Sequence, residues 1–268
     1  HDWMTFLAAI KLKKAGLKFA AHIHSLTYDR VGEEDNGWIF QIEKMGMSIA
    51  DTVIAVSNYT GRVCVQNYDV DYKKIEVVHN AFDFSENDRL NAKNSKHVAF
   101  IGRLTYQKAP TNFIEIANTL LKVDKQFTFT VIGEGDEYNF LKDQVAKFGI
   151  SANVKFLGFV EHSKIKDALT DAAVYCMPSI SEPFGLTALE AVQYGLVPVI
   201  SRQSGASEVL KSAITVDYWD IDGFVKGIIE SSTDVSKSQN TLQRCQSELA
   251  SSSWKKTAHK IYNTLSSL

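Results

Sequence analysis

Two carboxylates, Glu182 and Glu190, bracket most of the run Ser181-Glu182-Pro183-Phe184-Gly185-Leu186-Thr187-Ala188-Leu189-Glu190-Ala191. The run follows the apolar stretch 173–177 through Pro178, and 185–194 reads as a helix. Leu186, Leu189, Ala191 and Val192 supply its apolar positions, and Gly195 is a natural terminator. Glu182 therefore falls in a strand-to-helix loop, and Glu190 about one and a half turns into the helix. The amides of Phe184, Gly185 and Leu186 sit at the helix start, where free N–H groups and the helix dipole suit an anion such as a diphosphate. A carboxylate deeper in the same cleft can accept both vicinal hydroxyls of a ribose. The plainer reading of a lone Glu190 is a solvated helix residue; its neighbours weigh against that.

Arg103 and Lys108 follow the apolar strand ending at Ile101, which puts two cations in another strand-to-helix loop. By themselves they could be a solvated basic loop. His22 and His24, in Ala21-His22-Ile23-His24-Ser25, close the first strand candidate; their period of two places them on one strand face, or one of them on the following loop. His22 reads as a satisfied structural histidine, His24 as a candidate for chemistry. Gly133-Glu134-Gly135 after Val131-Ile132 lacks the third glycine of a dinucleotide fingerprint. A tight turn is its ordinary meaning, with Gly133 a reserve ligand contact. His79, His97, His162 and His259 lack ligand spacing and read as structural or exposed.

Such loops need a frame. Short apolar runs at 17–23, 52–56, 75–78, 96–101, 127–132, 154–157, 173–177, 197–201 and 213–216 alternate with amphipathic helical stretches. In 111–123, Phe113, Ile116, Ala117, Leu120 and Leu121 share one face; 138–148 is a second such stretch. This alternation predicts an α/β chain with parallel sheets covered by helices, whose ligands sit at the carboxyl ends of the strands. The apolar pattern lapses over 80–94 into Asp83, Ser85, Glu86, Asn87, Asp88, Arg89 and Asn91, the composition of a solvated linker. Serines at 251–253 break the chain before a last helix over 254–268. The expected domains are 1–82, 83–250 and the terminal helix 251–268. The segment before the linker is short for a doubly wound domain, and the chain opens at His1 directly in a helical pattern; both suggest an incomplete first domain.

Composition narrows the partners. The 268 residues carry 29 Lys+Arg against 31 Asp+Glu, a net charge of −2, which disfavours nucleic acid or an anionic membrane as main partner. With 45% hydrophobic residues the chain is too apolar for disorder, yet no run approaches the ~18 residues of a membrane span, and no signal-peptide pattern opens it. Cys64, Cys176 and Cys245 are an odd number without CxxC spacing. A disulfide framework or zinc site is not expected, and a cytoplasmic location fits.

The Glu-x7-Glu spacing with Pro-Phe-Gly after the first Glu resembles the signature of GT4-type retaining glycosyltransferases of the GT-B fold. Further landmarks in the order of that family span nearly the whole chain. They are Ala50-Asp51-Thr52-Val53-Ile54-Ala55-Val56-Ser57, Val77-Val78-His79-Asn80, Gly102-Arg103-Leu104, Val131-Ile132-Gly133-Glu134-Gly135, Phe156-Leu157-Gly158, Gly195-Leu196-Val197-Pro198-Val199-Ile200 and Gly205-Ala206-Ser207-Glu208-Val209. The resemblance implies two Rossmann-like domains facing each other over a cleft, the first incomplete here, with the terminal helix packing back toward it. It implies a retaining hexosyl transfer from a UDP-, GDP- or ADP-linked sugar to a carbohydrate or other hydroxyl acceptor, without cofactor or metal. Arg103 and Lys108 would stabilise the diphosphate leaving group, Glu190 would hold the ribose, and Glu182 the donor sugar's hydroxyls. The amides at Phe184, Gly185 and Leu186, with Gly102 and Gly133, complete the donor-binding set. His24 would orient the sugar and stabilise an oxocarbenium-like transition state, through its backbone carbonyl rather than as a base. Domain closure would exclude water.

His1-Asp2-Trp3 and the stretch 24–30 are similar to the glycogen/starch synthase-like branch, which points to glucose and a glucan. Two positions depart from the family: Ala109-Pro110 stands where Gly commonly follows the Lys, and Asn80-Ala81 where Asn-Gly is usual. Asp69-Val70-Asp71 and Asp220-Ile221-Asp222 read as DxD, the metal signature of a different glycosyltransferase fold. The first lies in a polar loop and the second starts a helix, so neither is taken as a site. Two rivals remain: a truncated module that binds nucleotide sugar with little transfer, and a nucleotide-sugar epimerase of the same fold. The order Arg103, Lys108, Glu182, Glu190 argues against the epimerase.

Overall fold

All strand pairing in the computed structural model, which describes every residue except 33–36 and 86–89, is parallel. The linker residues Glu86, Asn87, Asp88 and Arg89 lie outside the described residues. The chain forms two compact units. One comprises His1–Asp83, Ser181–Phe184 and Ser252–Leu268; the other comprises Phe84–Ile180 and Gly185–Ser251.

In the first unit, α1 (Asp2–Lys14) leads into β1 (Ala20–Ile23) and a short helix α2 (Thr27–Val31). Then come α3 (Trp38–Ile49), β2 (Thr52–Ala55), α4 (Asn58–Tyr68) and β3 (Ile75–Val77). The sheet order is β1-β2-β3. Strand β1 starts later than its apolar run because Asp51 takes over the preceding backbone. The Asp51 carboxylate accepts from the Phe19 amide at 2.7 Å and pairs with Lys13 at 2.6 Å, while Asp51 N–H donates to the Phe19 carbonyl. Phe6, Ile23, Met47, Val53 and Tyr68 form the core, and Gly46 lets α3 close on α1: a Cβ there would meet the Phe6 ring at 2.2 Å.

The second unit holds β4 (His97–Ile101), α5 (Pro110–Val123), β5 (Thr128–Ile132), α6 (Tyr138–Lys147), β6 (Val154–Gly158) and α7 (His162–Ala168). It continues with β7 (Val174–Met177), α8 (Leu186–Gln193), β8 (Val197–Ser201), α9 (Ala206–Val209), β9 (Ile214–Val216), α10 (Ile221–Thr233) and α11 (Val235–Ala250). A last helix, α12 (Trp254–Ser266), belongs to the first unit, where the Thr257 hydroxyl donates to the His79 carbonyl at 3.0 Å. Phe100, Phe113, Phe129, Leu141, Val174 and Phe224 lie in one buried cluster that joins sheet and helices. The sheet order is β6-β5-β4-β7-β8-β9. From β4 the chain adds β5 and β6 on one side and then returns to add β7, β8 and β9 on the other. The order thus reverses between β4 and β7, which opens a crevice at their carboxyl ends.

Among the described residues, 78–96 carry no helix or strand, as the linker composition predicts, but the segment is not simply solvated. Gln193 bonds both the Ser85 amide, at 2.9 Å, and the Ser85 carbonyl, at 3.1 Å. Gln246 donates to the Leu90 carbonyl, and Gln239 accepts from the Ala92 amide, each at 2.8 Å. Side-chain amides carried on α8 and α11 do here what a strand ladder would otherwise do. Among the described residues no helix is long and apolar enough to cross a membrane.

Candidate functional site

In the second unit, the segments leaving β4, β5 and β7 are stitched into one floor. Gly102 N–H donates to the Ile132 carbonyl at 3.0 Å, and Leu104 N–H to Glu134 at 2.9 Å. Ile180 N–H donates to the Gln107 carbonyl at 3.0 Å. The Tyr175 hydroxyl on β7 reaches the Ile101 carbonyl at 3.4 Å and Thr187 Oγ1 on α8 at 2.7 Å. The Gly-x-Gly after β5 exists for this closeness. Gly133 adopts φ +133, and a Cβ on it would lie 1.9 Å from the Gly102 carbonyl oxygen; one on Gly135 would lie 2.3 Å from that of Leu104. Glycine is required at both positions by backbone packing alone.

Gly102, Arg103 and Lys108 sit on the segment after β4, Arg103 exposed and Lys108 half-buried. Arg103 Nη2 is 3.5 Å from Gln107 Oε1, and a Cβ on Gly102 would touch the Lys108 stem at 3.6 Å. Between this pair and α5 lies Ala109, which stands where the family commonly has Gly. Ala109 takes the left-handed geometry directly, at φ 47 and ψ 52, ahead of Pro110 at the first position of α5. The departure from glycine thus preserves the left-handed turn and adds strain. A non-glycine residue in that region costs about 1–2 kcal/mol, partly offset by the lower entropy of its unfolded chain. Ala109→Gly is expected to raise stability by up to about 1 kcal/mol, read as an increased melting temperature; a fall in stability would contradict the strain.

Gly185, with φ 93, caps the start of α8, and Leu186 is its first residue. Glu190 on α8 is half-buried, its side chain 16% exposed, and burial pushes its carboxyl above the usual range. His162, which spacing alone left as structural or exposed, opposes that shift: its Nδ1 lies 3.8 Å from Glu190 Oε1. Nothing in the sequence pairs them: His162 opens α7 after β6 and Glu190 stands on α8 after β7, strands that β5 and β4 separate in the sheet.

The remaining predicted residues belong to the first unit. Glu182 and Phe184 are buried within the segment Ser181–Phe184. The Ser57 hydroxyl, at the start of α4, donates to the Pro183 carbonyl at 2.6 Å; Tyr59 donates to Ser181 Oγ at 2.8 Å; and Ser181 donates to Asp29 at 2.5 Å. His24 follows β1, its backbone amide held by the Asp2 carboxylate at 2.7 Å. Its ring centroid is 4.3 Å from that of His22, so the two share one face as the period of two predicts. His22 corrects the sequence reading: Nε2 is buried without a hydrogen-bond partner, so the ring is not satisfied. Burial, with His24 beside it, lowers the His22 pKa to about 4.

Sequence reasoning missed the buried acids behind this loop, Asp29 and Glu43. Glu43 on α3 accepts from the Thr27 amide, at 3.1 Å on one oxygen and 3.0 Å on the other. It also accepts from the Tyr68 hydroxyl at 2.7 Å and from Arg30 at 3.3 Å. The signal was a Glu spaced i, i+3, i+4 with Gly46 and Met47 on the buried helix face. Asp29 is 3% exposed, accepts from the Leu26 amide at 2.7 Å and from Ser181, and has its pKa raised to about 6. Burial is the main cause, with Glu182 adding to it, against the hydrogen bonds and Arg30. A carboxyl raised in the fold binds its proton more tightly there than in the unfolded chain. Its contribution is therefore full below pH 4 and is lost as pH rises through about 6, on the order of 3 kcal/mol. Melting temperature over that window is expected to fall several degrees further in the native protein than in Asp29→Asn; parallel profiles would refute the shift.

The DxD carboxylates are engaged in local structure. Asp69 ends α4 in left-handed geometry beside Lys44, Asp71 accepts from the Lys73 amide at 3.0 Å, and Asp220 caps the Gly223 amide at 2.9 Å.

Residues 82–247 match the family model described as Glycosyl transferases group 1, and residues 1–86 match Glycosyltransferase Family 4. An uncharacterized glycosyltransferase, MJ1607, of Methanocaldococcus jannaschii is 30% identical over 232 residues, 80% of this chain and 59% of that protein. A glycogen synthase of Mycobacterium tuberculosis is 24% identical over 266 residues, 94% of this chain and 63% of the relative. The chain thus spans about six-tenths of the length of these relatives. Among solved structures, HepE of Anabaena in complex with UDP-glucose superposes with a TM-score of 0.82 at 21% identity, covering 99% of this chain and 77% of its own. That likeness is one of fold, the GT-B class of parallel α/β proteins.

Proposed function

The chain belongs to the group 1 glycosyl transferases, and on that premise we propose that it moves a hexosyl group from a nucleoside diphosphate sugar to an acceptor hydroxyl, with retention and without a metal. The observation that carries this reading is the second unit's crevice, where the sheet order reverses. Two cations, Arg103 and Lys108, leave β4 beside it, and the half-buried acid Glu190 stands on the helix after β7.

Arg103 and Lys108 neutralise the diphosphate as the glycosidic bond breaks, and the amides from Phe184 to Leu186 add N–H donors. Glu190 accepts the ribose hydroxyls and Glu182 those of the sugar. The His24 carbonyl faces the positive charge that develops on the anomeric carbon. A UDP-linked donor is supported by HepE, whose structures hold UDP and UDP-glucose; a glucan acceptor is supported by the likeness to glycogen synthase. Three buried, free cysteines accord with a reducing cytoplasm.

A thermal-shift panel of UDP, GDP and ADP with their sugars tests the donor, and NMR of the product anomer tests retention. Turnover that vanishes with EDTA and returns with manganese would refute metal independence, and an inverted anomer would refute retention. Glu190→Ala is expected to weaken nucleotide binding about 10–100-fold, the value of one or two hydrogen bonds to a charged group. Because burial raises the Glu190 carboxyl, donor KM is expected to climb as pH falls and protonates it, and to stay flat in Glu190→Gln. Unchanged affinity in Glu190→Ala would remove the ribose assignment. The competing reading, a binding module with little transfer, predicts the thermal shift without product.

A further inference from the structure

Three histidines at the end of β1 form a group that sugar transfer does not use as a group. His1, His22 and His24 each offer one ring nitrogen, and these three atoms lie within 4.8 Å of one another. His1 Nδ1 and His24 Nε2 are 2.9 Å apart, and the His22 ring centroid is 4.9 Å from that of His1 and 4.3 Å from that of His24. His22 is 8% exposed, and its Nε2 is buried with no hydrogen-bond partner. An orphaned buried polar atom is costly and calls for a partner.

A tetrahedral ion with bonds of about 2.0–2.1 Å to nitrogen separates its ligand atoms by roughly 3.4 Å. The 2.9 Å between His1 and His24 and the 4.8 Å limit on the set bracket that separation. Among the described residues no carboxylate belongs to the cluster. An all-imidazole set selects borderline transition metals over magnesium or calcium. His1 is exposed and His24 half-buried, which leaves a route in.

We propose that His1, His22 and His24 bind one Zn2+-class ion through three imidazoles, with the fourth position left to water. The bound ion places positive charge on the ring of the residue whose carbonyl faces the developing cation, so it inhibits transfer; this consequence, unlike binding, rests on the function proposed above.

The test is titration of the full chain, free of any polyhistidine tag, with CoCl2 near neutral pH. The visible absorption of tetrahedral Co2+ is expected to grow and saturate at one equivalent. His22→Gln and His24→Gln, each checked for folding by circular dichroism, are expected to weaken binding roughly tenfold or more. Absence of a saturating band, or a band unchanged in both variants, overturns the site. In the transfer assay, one equivalent of Zn2+ is expected to inhibit and EDTA to restore turnover; full activity with the site filled overturns the inhibition. Should no donor support transfer, the function reading fails, while the cobalt titration still decides the site.

Discussion

Arg103→Ala and Lys108→Ala are each expected to abolish the thermal shift induced by nucleoside diphosphate and to lower kcat/KM by about 100–1000-fold. The departing diphosphate gains negative charge as the sugar leaves, and in the proposed mechanism no metal shares it. Removing a preorganised charge partner therefore costs more in the transition state than in the ground state. The two side chains are not equivalent. Arg103 presents a planar fork suited to two phosphate oxygens at once, while Lys108, its stem against Gly102, supplies a point charge. Arg103→Lys should keep part of the binding and lose most of the rate. The loop is tied by backbone bonds from Gly102 and Leu104 to β5 and its following turn, so either truncation should leave the melting temperature of the free protein nearly unchanged. A shift that survives in both alanine variants would remove the pair from the site.

Glu43→Ala is expected to cost roughly 2–4 kcal/mol of stability, from two buried donors left without their acceptor and the cavity left behind. The carboxylate, 1% exposed, serves the Thr27 amide, the Tyr68 hydroxyl and Arg30 together. Alanine would leave the Thr27 amide and the Tyr68 hydroxyl buried without their acceptor, while Arg30, a third exposed, keeps access to water. Lys44→Ala on the same helix, which loses an exposed pair with Asp69, should cost at most about 1 kcal/mol and serves as the control. Equal midpoints for the two variants in urea unfolding would show that the network carries little. Because Glu43 anchors the segment after β1 that follows His24, a loss of stability should be accompanied by weakened transfer.

The α/β architecture was legible because parallel strands and their covering helices differ in period and length, which apolar residues record directly. All nine apolar runs became strands: β8 keeps both ends, seven others shift by one residue at one end, and β1 starts three residues late. The largest displacement, at β1, traces to the Asp51 side chain taking backbone bonds that the apolar pattern cannot show. Glycine at 133 was legible as a turn, but not as the point where two loop backbones nearly touch. Ala109 shows the opposite error: propensity argues against left-handed geometry and a following proline favours extended backbone. Yet its N–H bonds the Tyr106 carbonyl and its own carbonyl accepts from the Asn112 amide, which holds the turn into α5.

The sequence by itself determined which segments alternate, where the cations and carboxylates fall relative to strand ends, and which family order they follow. Each of those depends on neighbours along the chain. Only the tertiary structure decided that β4 and β7 lie side by side at a reversal of strand order, that His162 stands against Glu190, and that Asp29 and Glu43 are buried behind the His24 loop. It also brought three imidazoles together and left a buried ring nitrogen of one of them without a hydrogen-bond partner. Burial and charge proximity are properties of pairs distant in sequence, and a linear pattern carries no term for them.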